Sequence, residues 1–215
     1  MRTLYELIDL HEPAFPLVRQ WAASAVRSVE ILPPSAQRDA ALLKVQVTTR
    51  SPMGAIIHDT GGILVDGGWL RILGSGHPRL TRTLPGWNVG RGEGFLLVAD
   101  DAVGGFFAIN GGALGGDPGG MYYFAPDSLA WEPLHVGYSE FLQWSFSEGL
   151  GAFYDWIRWQ GWEDDVRTLQ GDRSFSFYPF LFTAEGEGGR GSRSDVDVAE
   201  SWTLSLNFAS QLGAR

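Results

Sequence analysis

Hydrophobic residues along this chain follow a helical period at its two ends and a period of two, broken by glycine turns, through the middle. Thr3 and Glu6 fit a capping box ahead of Leu4, Leu7, Ile8 and Leu10, a short amphipathic helix that Pro13 ends. Pro16 can open a second helix, with Leu17, Val18, Trp21, Ala22 and Ala25 on one face. Val29 to Pro34 reads as extended, since a residue before proline avoids αR, and Ser35 can cap a brief helix reaching Leu43. At Leu43 the period changes: Leu43, Val45 and Val47 alternate with Lys44, Gln46 and Thr48, the pattern of a half-buried strand. Ser51-Pro52-Met53-Gly54 then reads as a turn, and Ala55–His58, Ile63–Val65 and Trp69–Leu73 as three strands separated by glycine pairs.

The central stretch continues in the same manner. Thr81 to Asn88 is a tight, proline-stopped segment with Trp87 as its anchor, and Phe95–Ala99 is a strand. Phe106–Ile109, Met121–Phe124 and Leu129–Leu134 follow, joined by the glycine loop Asn110–Gly120 and the turn Pro126-Asp127-Ser128. Ser139 can cap a helix carrying Phe141, Leu142 and Trp144 to Phe146, with Gly149 as its stop. A further helix is expected over Gly151–Trp162, a strand over Ser174–Phe182 placed at an edge by Pro179, and a mobile loop over Thr183–Ser194. The last segment fits both periods. Asp197 with Glu200 as a capping pair and Gly213 as a stop favour helix. Connections this short forbid parallel crossovers. The expected fold is therefore α+β, a central mainly antiparallel sheet with helices packed on one side, in a single domain over residues 1–215.

Composition removes several classes of function. The chain has no cysteine, hence no disulfide framework, thiolate metal site or cysteine nucleophile. No apolar run approaches the ~20 residues of a membrane span, and Arg2, Glu6 and Asp9 occupy the place of a signal peptide's apolar segment, so a cytoplasmic protein is expected. A net charge of −9 and a single lysine, Lys44, argue against a nucleic-acid surface; such acidity more commonly serves solubility, and it could attract a basic protein partner. A phosphate loop is excluded because Leu43 precedes the lone lysine, and no dinucleotide fingerprint, nucleophile elbow or zinc-protease helix is completed. No cofactor, no metal and no catalytic residue is assigned.

Two groups of residues could carry a function. Arg50, His77 and Arg79, to which His58 and Asp59 could add, could hold a carboxylate or phosphate if their loops meet; loop arginines more commonly tie loops to backbone carbonyls. Near the glycine loop, Asp117 with Tyr122 and Trp131 offers an acidic, aromatic surface for a protein partner. Most of the nine tryptophans are expected in the core.

The strings TTRSPMGAIIHDTGGILVDGGWLRILGSGHPRL and GGALGGDPGGMYYFAPDSLAWEPL, with the SEFLQWSF helix, resemble the bacterial DUF2625 family, over Leu4 to Leu212. That resemblance carries no catalytic residues. The order in Val103 to Phe146, a glycine-led strand, a glycine loop, the aromatic strand Met121–Phe124, a further strand and a Ser-Glu-Phe-Leu helix, resembles the SUKH (SMI1/KNR4-like) superfamily. It implies a SUKH-like α+β fold and a non-enzymatic, protein-binding, immunity-like role with a basic, toxin-like partner. A small anionic-ligand binder or an enzyme using Arg50, His77 and Arg79 is the alternative.

Overall fold

The computed structural model describes residues 1–213. The chain enters through helices α1 (Leu4–Leu7) and α2 (Phe15–Ala23), strand β1 (Val29–Leu32), and helices α3 (Arg38–Val45) and α4 (Pro52–Asp59). Strands β2 (Gly62–Val65) and β3 (Leu70–Leu73) follow, joined by a 3-10 turn at Asp66–Gly68; helix α5 (Leu84–Trp87) leads to β4 (Phe95–Asp101). Strands β5 (Phe106–Asn110), β6 (Met121–Phe124) and β7 (Trp131–Pro133) complete the sheet. Helices α6 (Tyr138–Ser145), α7 (Glu148–Tyr154) and α8 (Trp162–Thr168) come next, then a hairpin of β8 (Arg173–Tyr178) and β9 (Ser192–Asp197), and finally α9 (Val198–Leu212).

The seven strands β1 to β7 lie in sequence order and every neighbouring pair is antiparallel. The antiparallel meander expected from the short turns is the observed sheet, and it begins earlier than expected, at Val29. β8 and β9 form a separate two-stranded sheet. Successive side chains of a strand point to opposite faces. Phe107 meets Phe141 of α6 at 5.0 Å between ring centroids, and Phe106 meets Trp202 of α9 at 4.8 Å. One face therefore carries the expected helical layer, and α9 covers the other. Trp202 sits among Phe95, Phe106, Phe124 and Trp131 and is 4% exposed, so it closes the second core.

Several local expectations are corrected. Leu43–Val47 is the end of α3 and the turn after it, with Gln46 in the left-handed region at φ 60°. Ser51–Gly54 and Ala55–His58 are helix α4: Ser51 accepts from the Gly54 amide and Pro52 stands at the first helical position. Gly54 to His58 are all buried, because α4 packs against α2, α3, α6 and β2, and a helix buried on all sides shows no polar face. The helix expected over Gly151–Trp162 is two, since α7 ends at Tyr154 and α8 begins at Trp162. α6 is capped by Gly137 and Glu140 instead of Ser139, and Gly149 lies inside α7. The strand of Ser174–Phe182 stops at Tyr178, and the loop expected over Thr183–Ser194 holds a 3-10 turn at Glu187–Gly189 and the start of β9. The helical reading of the last segment holds, with the Asp197 side chain accepting from the Ala199 amide and Gly213 at φ 69° as the C-cap.

Truncating Trp202 empties the centre of the second core. Trp202→Ala is expected to cost about 3–5 kcal/mol in urea unfolding. Leu206→Ala, on the same helix but 37% exposed, should cost less than about 1 kcal/mol by the same measurement.

Candidate functional site

The polar centre of the molecule is a pair of consecutive aspartates at the end of β4. Asp100 and Asp101 are both wholly buried. A β-bulge between Leu97 and Ala99 sets their phase, so that Asp100 stands opposite Phe106 on the α9 face and Asp101 points to the α6 face. Asp100 pairs with Arg71 at 2.6 Å and with Arg82, which reaches on to Asp172 at 2.9 Å and to the Gly171 carbonyl at 2.7 Å. Arg71 also donates to the carbonyls of Arg173 and Asp101. Asp101 accepts from the hydroxyls of Tyr123 at 2.8 Å and Tyr154 at 2.7 Å and from the amides of Val103 at 2.9 Å and Gly105 at 2.7 Å. A Cβ at position 105 would strike the Tyr123 hydroxyl and the Asp101 carboxylate, so only glycine fits there.

Two concavities flank this centre. On one side, the turn at Gly67-Gly68, the Pro78–Thr81 loop and the segment from Arg167 to Asp172 enclose a polar cleft of about 440 Å³, walled in part by Arg71, Arg79 and Arg167. On the other, α9 and the strand and loop from Phe175 to Phe182 form an apolar groove of about 140 Å³, lined by Leu129, Phe180, Phe182, Leu204 and Phe208. Phe180 and Phe182 stack at 5.3 Å, and Phe208 packs tilted against both at 4.9 and 5.0 Å. Glu200 is the charged residue in its wall.

The sequence-derived candidates are partly brought together. His77 and Arg79 share a loop, where the Arg79 amide donates to His77 Nδ1 at 3.2 Å, and Arg79 pairs with Glu30 at 2.5 Å. Arg50 lies elsewhere: it precedes α4 and pairs with Glu12, whereas the His77 loop joins the far end of that helix through the Ser75 amide and Thr60 carbonyl. Eight helical residues put about 12 Å between the two ends. His58 is buried between Asp59 at 2.8 Å and Asp39 at 3.1 Å. Of the aromatic candidates, Tyr122 is buried and Trp131 is half-buried. Tyr122 is 5% exposed and bonds Asp117 at 2.6 Å, and Trp131 packs on Phe95 and Phe124 at 5.1 and 5.3 Å. Among the described residues no cluster of three potential metal ligands occurs, and no helix is long and apolar enough to cross a membrane.

The sequence profile of a protein family of unknown function, DUF2625, matches residues 4–201. This chain belongs to the DUF2625 family. Its relatives include the putative uncharacterized protein YbfG of Escherichia coli (strain K12), 45% identical over 208 residues, 95% of each chain. An uncharacterized protein of Haemophilus influenzae is 42% identical over 191 residues, 84% of this chain and 83% of the relative. No solved structure matches.

The residues that organise this DUF2625 chain, Arg71, Asp100, Asp101 and Asp172, were not singled out from sequence. A signal existed: Arg71 stands inside the apolar run Trp69–Leu73, and Asp100-Asp101 closes another, and charges inside buried strands must be paired. Their ionisation follows from what they touch. Burial pushes the Asp101 carboxyl up, only partly offset by its hydrogen bonds from Tyr154, Gly105, Tyr123 and Val103. Burial and then the Asp101 charge drive both tyrosines well above the ordinary phenol value. Burial lowers Arg71 against the pull of Asp100, whereas for Arg82 the carboxylates of Asp100 and Asp172 outweigh burial and raise it. Burial would raise Asp172, but the Thr81 hydroxyl and Arg82 outweigh it and hold that carboxyl below its ordinary value.

Arg71→Met should cost about 3–5 kcal/mol in urea unfolding, because it removes one of the two cations facing a buried carboxylate. The double substitution Arg71→Met with Asp100→Leu should cost less than the single one. A carboxyl lowered on folding stabilises above its unfolded pKa of 3.8, and that stabilisation is lost as pH falls through the lower folded value. The melting temperature of Asp172→Asn should therefore start lower at neutral pH and fall less steeply than the parent's below about pH 4.

Proposed function

We propose that this DUF2625 protein is a non-enzymatic protein-binding module of the bacterial cytoplasm that takes an apolar anchor of a basic partner into the groove along α9. The groove itself carries the reading. Its walls are aromatic and aliphatic, and Leu204 is left 42% exposed at its edge. Two further exposed apolar side chains belong to the same C-terminal unit, Tyr178 of β8 at 72% and Leu212 of α9 at 63%. Large exposed apolar patches on soluble chains mark interaction sites.

The charge of the partner follows from the charge of this surface. Glu200 stands in the groove wall, and the whole chain carries −9, so a segment whose apolar anchor is flanked by Lys or Arg is attracted before contact and paired on arrival. The strand and helix order over Val103–Phe146, on which the SUKH likeness rests, supports a binding role over a catalytic one. An immunity-like role against a basic, toxin-like protein is the form of that reading which the likeness favours.

Site-specific photo-crosslinking in the cytoplasm tests it. A benzophenone side chain at Leu204 should give an adduct with a basic protein, at an apolar residue flanked by Lys or Arg, and the same group at Val89 should not. Leu204→Asp should weaken the purified complex at least tenfold, and association should slow as salt shortens the Debye length toward about 8 Å. Equal labelling from both positions, an acidic partner, or an affinity unmoved by Leu204→Asp would remove the proposal.

A further inference from the structure

We propose that the cleft between the β2–β3 turn and the segment from Arg167 to Asp172 is a binding site for a phosphate monoester, separate from the groove along α9. Three arginines wall it, Arg71, Arg79 and Arg167, against a single carboxylate, Asp172. That carboxylate is already engaged by the Thr81 hydroxyl and by Arg82. Glu30 and Asp164 stand beside the cleft as the partners of Arg79 and Arg167, so a ligand there takes guanidiniums over from exposed ion pairs.

The difference between the buried and the exposed pairs points to a dianion held at the rim. Behind the wall, Arg71 and Arg82 face Asp100 and Asp172, two cations against two carboxylates. Arg71 is 1% exposed and fixed by Asp100 and two carbonyls, so it is a rigid part of the wall and does not swing. At the rim, Arg79 and Arg167 are held only by Glu30 and Asp164, in pairs whose side chains are all more than half exposed. Exposed pairs of this kind contribute little, so both guanidiniums can turn to a ligand at small cost. Two freed guanidinium forks match one phosphate, which carries about −1.5 to −2 at neutral pH and accepts bidentate hydrogen bonds.

Shape sets the rest of the ligand. Gly67 and Gly68, at φ 71° and 107°, place backbone without side chains on one wall, which leaves room beside Arg167. A volume of about 440 Å³ exceeds what inorganic phosphate fills and lies in the range of small-molecule sites, so an organic group accompanies the phosphate. Thr168 and Gln170 line the same cleft and suit a hydroxylated one.

Isothermal titration at constant ionic strength, with glycerol phosphate, ribose phosphate, inorganic phosphate and succinate as probes, decides the matter. A phosphate ester should bind saturably and more tightly than inorganic phosphate or succinate. Arg79→Ala combined with Arg167→Ala should weaken it at least tenfold, and Arg50→Ala, on the other end of α4, should leave it unchanged. Affinity should fall several-fold as pH drops through about 6, where the phosphate takes up its second proton. The proposal is overturned by no saturable binding of either ester, by binding that survives the double substitution, or by tighter binding of succinate. None of these outcomes depends on whether a protein occupies the groove along α9.

Discussion

The structure depends on how two adjacent carboxylates are buried at the end of one strand. A charge taken out of water is tolerable only when it is paired and hydrogen-bonded. Asp100 meets that requirement with arginines on the α9 side, and Asp101 with two tyrosines and two loop amides on the α6 side. Each aspartate thereby recruits elements far apart in sequence. Asp100 reaches β3 and the loop after it through Arg71 and Arg82, and through Arg82 the Gly171-Asp172 segment. Asp101 reaches β6 and α7. The sheet, its two covering layers and the C-terminal segment are registered against one another at this point.

That arrangement also creates the two surfaces assigned a role. Arg82 and Arg71 draw residues 171–173 toward the sheet, and the space left between that segment and the β2–β3 turn is the arginine-lined cleft. Trp202 fixes one side of α9 against Phe95, Phe106, Phe124 and Trp131, which leaves Leu204 and Phe208 to form the groove with the aromatic loop after β8. A rigid core and a buried ion network hold the walls of both. Of the residues that looked like surface anchors, Tyr122 is buried, and Trp131 packs half-buried against the core.

Of the candidate site, the sequence exposed the residue types but not their partners. Arg79 was legible as a loop cation, and it does line the cleft; Arg50 carried the same signal and lies at the other end of α4. Spacing along the chain cannot tell such cases apart, because proximity depends on where a helix lies and which way it runs. Arg71 and Arg167 drew no attention, one hidden in an apolar strand and the other in a charged helical turn.

The sequence by itself determined the meander, the strands from β2 to β7 and the last helix, because glycine and proline turns limit the connections and capping residues mark helix ends within a few residues. It failed where burial erases the polar face. The apolar run of α4 has no period to read, and five alternating residues at Leu43 imitate a strand although they end a helix. Only the tertiary structure decided which face each strand residue takes beyond the bulge in β4. One extra residue at that point exchanges the directions of Asp100 and Asp101, and a shift of one position in a pattern of period two sends every side chain after it to the opposite side of the sheet.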